Sequence, residues 1–204
     1  MEFLSKGGVL VIPILLCSVL VLGIFAERVI RFALLWRRGR NVAGRVEEHI
    51  HQGDISGALA AAENSRSPMG RILAAAMGVM REDRETLETV VVHATEQEVR
   101  DLSRYLQALA TIGNITPILG LLGTVIGMIK AFMVIQQMGG RVNAAVLAGG
   151  IWEAMLTTAL GLAVALPAMV AHSYLAGRVD QYEARLQNGS VRFLKALARH
   201  RRMN

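Results

Sequence analysis

The 204-residue chain is 53% hydrophobic and only 19% charged, against roughly a quarter charged in an ordinary soluble domain, and its mean hydropathy is +0.41. A single cysteine, Cys17, excludes an intrachain disulfide framework, and no Cys/His spacing suggests a zinc site. The net charge of +6 would suit nucleic acid, but 5% aromatics leave little for base stacking, so the placement of the 22 basic residues decides what they are for.

Three stretches are almost free of charge. Gly7–Ala26 lies between Lys6 and Glu27, and Tyr105–Ile129 lies between Arg104 and Lys130. The third lies between Arg141 and Arg178 and holds one acid, Glu153. A bilayer core about 30 Å thick needs roughly 20 apolar helical residues, so each predicts a transmembrane helix. The first is read as a retained helix rather than a cleaved signal: its apolar run is long, and Glu27-Arg28 follows without a cleavage motif.

Between the first two spans the chain reads as helices and turns. Val29, Phe32, Leu35 and Trp36 recur at helical spacing among arginines, which predicts that the first helix continues into the headgroup layer. Gly53-Asp54 predicts a turn, with Asp54 capping a short helix through Glu63. Ser65–Pro68 predicts a second turn, with Pro68 at the first position of the next helix. His49 and His51 read as solvated. From about Gly70 the periodicity predicts a long helical stretch, since no glycine or proline interrupts 79–112. An unbroken helix from about Arg84 to Ala131 would measure on the order of 70 Å. Met138-Gly139-Gly140 predicts the turn between the second and third spans.

Orientation follows from basic residues near span ends. Arg28, Arg31, Arg37, Arg38, Arg40 and Arg45 follow the first span, and 178–204 carry seven basic residues against Asp180 and Glu183. The opposite side has only Lys6, Lys130 and Arg141. The N-terminus is therefore expected outside, with the large loop and tail in the cytoplasm. Topology and anionic lipid headgroups account for the basic excess, so no nucleic-acid partner is expected. The predicted organisation is 1–28, first span; 29–104, cytoplasmic helical region; 105–177, second and third spans as a pore hairpin; 178–204, basic tail. The fold class is an all-α integral membrane protein with three spans.

In the second span Gly113, Gly120, Thr124, Gly127 and Ala131 share one narrow face; in the third, Ala154, Thr158, Gly161, Ala165 and Ala168 form a matching row. Small residues let helix backbones approach closely in lipid, so Gly113, Gly120, Gly127 and Gly161 are packing candidates. A threonine hydroxyl often satisfies itself one turn back along its helix. Glu153 is the sharper feature. An intramembrane carboxylate is costly and should face the protein interior or a wet cavity, and no basic counter-residue is expected within the spans. Thr157 shares the face of Glu153, whereas Thr158 is turned about 140° from Glu153, so the two threonines are not expected to serve one surface. His172 reads as interfacial. No nucleophile–base pair, metal cluster or cofactor motif is visible, so no enzymatic activity and no cofactor are expected. Three helices enclose no pore alone, which predicts a cyclic homo-oligomer.

Two runs resemble the signatures of the MotA/TolQ/ExbB proton-channel family: Thr116-Pro-Ile-Leu-Gly-Leu-Leu-Gly-Thr-Val-Ile-Gly-Met-Ile-Lys-Ala-Phe132 and Gly150-Ile-Trp-Glu-Ala-Met-Leu-Thr-Thr-Ala-Leu-Gly-Leu-Ala-Val-Ala-Leu-Pro167. Thr116 stands where the family has alanine. Three spans and the acid at Glu153 resemble the ExbB/TolQ branch rather than the flagellar one. The resemblance implies a pentamer around the single-span helices of two ExbD- or TolR-like subunits, with protons passing via an aspartate on that partner. It implies work on a TonB- or TolA-like protein in the bacterial inner membrane. It also implies that Thr124, Thr158 and Glu153 line or tune the proton path, with Thr158 facing the pore and Glu153 nearer the subunit seam. An ExbB-like role in energised outer-membrane transport leads. A TolQ-like role in envelope maintenance and a non-conducting membrane scaffold are the alternatives.

Overall fold

The computed structural model describes residues 9–39, 41–137 and 144–203. The described residues form seven helices and no strand: α1 Val11–Arg38, α2 Val42–His51, α3 Ile55–Asn64, α4 Pro68–Gly78, α5 Arg84–Ser103, α6 Leu106–Gln137 and α7 Ala144–Met203. Three helical segments are long and apolar enough to cross a membrane, within Val11–Leu35, Arg84–Gln137 and Leu147–Arg201. The turn expected at Met138-Gly139-Gly140 and the basic residues Lys6, Arg40 and Arg141 lie outside the described residues. The chain divides into two compact units, Met1–Glu27 with Tyr105–Tyr174 and Arg28–Arg104 with Leu175–Asn204. Helices α1 and α7 contribute to both.

In the first unit the usual inside-out order of side-chain size is reversed. Helix α6 buries Leu106, Leu109, Gly113, Thr116, Gly120, Gly123, Gly127 and Ala131, spaced three or four apart along one stripe. Helix α7 buries Ala154, Thr157, Gly161, Ala165, Ala168 and Ala171. The large side chains point outward instead: Ile118, Leu121, Leu122 and Phe132 on α6, and Trp152, Met155, Leu166 and Val170 on α7. Hydrocarbon is as apolar as leucine, so burying bulk gains little there, and close backbone contact through small residues supplies the packing energy. In α1, Val11, Ile14 and Val21 are buried while Ile12, Leu16, Val19 and Leu20 are exposed. Phe25 and Tyr174 meet edge to face, with ring centroids 6.4 Å apart.

The second unit is built from locally capped helices. Helix α2 packs on α3 and α4, α3 on α4, and α4 on α5. Gly53 adopts φ +76°, a left-handed conformation that glycine tolerates, and Asp54 follows as the cap of α3, accepting from the Gly57 N–H at 2.8 Å. His49, its side chain 38% exposed as expected of a solvated residue, also places Nδ1 3.1 Å from Asp54 Oδ2 and so helps hold the cap. Ser67 caps α4 through the Gly70 N–H at 3.1 Å, with Pro68 at the first helical position. Asp83 caps α5 through the Thr86 N–H and hydroxyl. Arg71 and Glu98 form a two-pronged ion pair at 2.6 and 2.5 Å, and that hydrogen bonding holds the Arg71 guanidinium above its ordinary pKa. The C-terminal part of α7 buries Leu175, Val179, Tyr182, Leu186, Phe193 and Leu197, a three-, four- and seven-residue spacing that matches one helical face.

The long helical stretch expected from about Gly70 is interrupted twice. Residues 79–83 form a turn between α4 and α5, closed by the Asp83 cap. The chain breaks again at Arg104 (ψ 135°) and Tyr105 (φ 69°), so Arg84–Ala131 is not one continuous α-helix. In an uninterrupted helix the carbonyls of Asp101 and Leu102 would each accept from an N–H four residues on. Here the fully buried Arg28 donates Nη1 to both, at 3.3 and 3.4 Å, as a basic side chain can at a helix C-terminus.

Candidate functional site

The site is the seam where α6 meets α7, and it exists because glycine occupies the points of nearest approach. A Cβ on Gly161 would stand 2.8 Å from the Thr116 carbonyl oxygen and 3.1 Å from Gly120 Cα. One on Gly120 would stand 3.0 Å from Thr158 Cα, and one on Gly127 3.0 Å from Ala154 Cβ. At Gly113 the neighbour is Met169 Cγ at 2.9 Å, a flexible side chain. Gly123 and Gly150 belong to the same seam and were not singled out by the sequence: Thr157 fills the space over Gly123, and Ala131 Cβ would lie 2.6 Å from a Cβ on Gly150.

This seam sits one residue away from part of the expected row. Gly123, not Thr124, lies on the buried stripe of α6. The half-buried Thr124 donates its hydroxyl to the Leu121 carbonyl of its own helix at 2.6 Å. The two threonines of α7 do serve one surface, against the expectation from their spacing. Thr157 is 2% exposed and donates to the Ala154 carbonyl at 2.7 Å. Thr158 donates across the seam to the Gly120 carbonyl at 3.0 Å. Neighbours about 100° apart on a helix can straddle one contact when the facing helix offers only glycine at 120 and 123. A donating hydroxyl keeps its lone pairs, so neither threonine loses its acceptor capacity by donating.

Glu153 does not lack a counter-charge. Lys130 Nζ donates to Glu153 Oε1 at 3.0 Å across the hairpin. The pair was hidden in the sequence because Lys130 marks the end of a charge-free run and Glu153 lies 23 residues later; only the register of α6 on α7 joins them. The structure thus brings Thr158 and Gly161 of α7 to Gly120 of α6, and Glu153 to Lys130. Thr124 is joined to neither group. His172 is half-buried on α7. Among the described residues no group of His, Cys, Asp and Glu could hold a metal ion.

Comparison with known proteins agrees with this hairpin. The profile of the MotA/TolQ/ExbB proton channel family matches residues 64–188, which take in α6 and the part of α7 that forms the seam. The biopolymer transport protein ExbB of Salmonella typhimurium is 30% identical over 202 residues, 95% of this chain and 82% of that protein. An ExbB-like protein of Synechocystis is 34% identical over 186 residues, covering 88% of this chain and 71% of the relative. An ExbB homolog of Methanothermobacter thermautotrophicus is 34% identical over 139 residues; the chain spans 49% of that protein's length. With three helices able to span a bilayer and a family profile over most of its length, this chain is a multi-pass membrane protein and belongs to the MotA/TolQ/ExbB proton channel family.

Proposed function

We propose that this chain is the channel-forming subunit of an ExbB-like motor in a bacterial inner membrane, coupling proton flow to energised transport across the outer membrane. The observation that carries this reading is the concentration of polar side chains at the α6–α7 seam. Thr157, Thr158, Lys130 and Glu153 meet there, on helices whose outward-facing side chains around the seam are large and apolar. The named ExbB relatives supply the transport system. Three spans from one copy enclose no channel, so the path runs through a homo-oligomer, a pentamer by analogy with the family, around a single-span ExbD- or TolR-like subunit. A TonB- or TolA-like protein receives the work. The N-terminus lies in the periplasm, and the second unit with its basic residues lies at the cytoplasmic side, near anionic lipid headgroups. Proton flux in vesicles containing this chain, with and without its single-span partner, tests the reading. Flux that requires both supports it; no flux with the partner present defeats it.

A second reading has its own observation. The hydroxyls of Thr124, Thr157 and Thr158 all donate to helix carbonyls, as packing residues would. A non-conducting scaffold that organises the partner would use them so. In that case their substitution lowers the stability of the solubilised oligomer before it changes energised transport.

A further inference from the structure

In the described part of the first unit, the Asp, Glu, Lys and Arg residues are Glu27, Lys130 and Glu153. Glu27 stands at the unit's boundary, and the other two meet across the hairpin at 3.0 Å. A lysine near a span end ordinarily extends its stem toward the headgroups. Lys130 turns to a carboxylate on the neighbouring helix instead. The seam makes this possible. Lys130 precedes Ala131 and Glu153 precedes Ala154, and those two alanines occupy the tight contacts with Gly150 and Gly127. The backbones are thereby close enough for a lysine stem to cross from one helix to the other. An isolated intramembrane charge is costly, and pairing neutralises both members at the place where each would otherwise stand alone. An ammonium has three donors and a carboxylate several acceptor positions. One hydrogen bond therefore fixes the carboxylate and leaves capacity on both groups for water or an incoming side chain.

We propose that Lys130 is the positioning residue for Glu153: its ammonium holds the carboxylate in one place at the α6–α7 seam, and proton passage depends on that placement. The proposal rests on the channel reading above, and its test separates the two. The full-length chain is reconstituted in lipid bilayers as wild type, Lys130→Met, Lys130→Arg, Glu153→Gln and the exchanged pair Lys130→Glu with Glu153→Lys. The carboxylate infrared band of Glu153 is identified by its loss in Glu153→Gln. It moves in Lys130→Met and returns toward its wild-type position in Lys130→Arg, because its hydrogen-bonded partner is lost and then replaced. With the single-span partner present, Lys130→Met lowers proton flux, Lys130→Arg recovers part of it, and the exchanged pair conducts better than either exchange alone. A band at the same position in wild type and Lys130→Met overturns the positioning role, even where flux is normal. A moved band with no flux in the wild type leaves the ion pair standing and defeats the channel reading. If Lys130→Met fails to assemble, Lys130→Gln reports the same band.

Discussion

Lys130 Nζ and Glu153 Oε1 lie 3.0 Å apart across the α6–α7 hairpin, each one residue before an alanine that sits in the tight seam. The charge pair and the small-residue seam are therefore one arrangement. Separating the helices would lengthen the ion pair, and a large residue in the seam would do so from a distance.

Gly161→Ala tests that dependence. Its new Cβ would meet backbone, the Thr116 carbonyl oxygen at 2.8 Å and Gly120 Cα at 3.1 Å, and neither can swing aside as a side chain would. The expected loss is about 1–3 kcal/mol, read as a lower melting temperature of the detergent-solubilised protein. Gly23 has nothing within 4 Å of its would-be Cβ, so Gly23→Ala should be neutral or stabilising by up to about 1 kcal/mol. Equal effects at the two positions would mean that the seam is not tight.

Arg28→Met keeps most of the buried volume and removes the donors to the Asp101 and Leu102 carbonyls. Hydrogen bonds to a charged group contribute roughly 1.5–3 kcal/mol in such measurements, and a loss of that size is expected in chemical unfolding. Hydrogen exchange should quicken first in the last turn of α5.

The Arg71–Glu98 pair predicts an asymmetry. The Glu98 side chain is 10% exposed and that of Arg71 54%. Removing Arg71 leaves a carboxylate buried without its partner, at about 1–3 kcal/mol. Removing Glu98 leaves a cation that water can reach, at roughly 0–1 kcal/mol. Arg71→Ala should therefore unfold at distinctly lower denaturant than Glu98→Ala.

Acid should loosen two helix starts. Hydrogen bonds hold the Asp54 carboxyl below its ordinary pKa, the Gly57 N–H foremost, and hold Asp83 down chiefly through the Thr86 hydroxyl. A depressed folded-state pKa contributes stability above the unfolded value, near 3.9, and loses it as pH falls through the folded value. The protection of the Gly57 and Thr86 amides, relative to their intrinsic exchange at each pH, should therefore fall below about pH 4. In Asp54→Asn and Asp83→Asn, which cap without titrating, that acid response should flatten.

What could be read in the sequence was local. The three spans follow from apolar length, and the Asp54 cap and the helix start at Pro68 from residues only a few positions away. The break between α4 and α5 was missed because periodicity continues through it. Asp83, with Thr86 three residues on, was the available signal. The end of α5 was not legible at all, since Arg28, which takes its carbonyls, is 73 and 74 residues distant from them. At the site, the glycine and alanine rows were visible from spacing. The choice of Gly123 over Thr124, and of Thr157 as the buried threonine, depends on how α6 is rotated against α7. The Lys130–Glu153 pair depends on the same register, and neither residue type announces it.

The proposed role of the polar points of this seam, proton passage rather than packing alone, is tested most directly by pH-gradient-driven proton flux in vesicles holding the chain and its single-span partner, comparing wild type with Thr158→Ala and Glu153→Gln at equal amounts of assembled oligomer. The expected result is a fall of at least about tenfold for each, equivalent to about 1.4 kcal/mol on the barrier, with the oligomer intact. Wild-type flux through both variants would contradict the account.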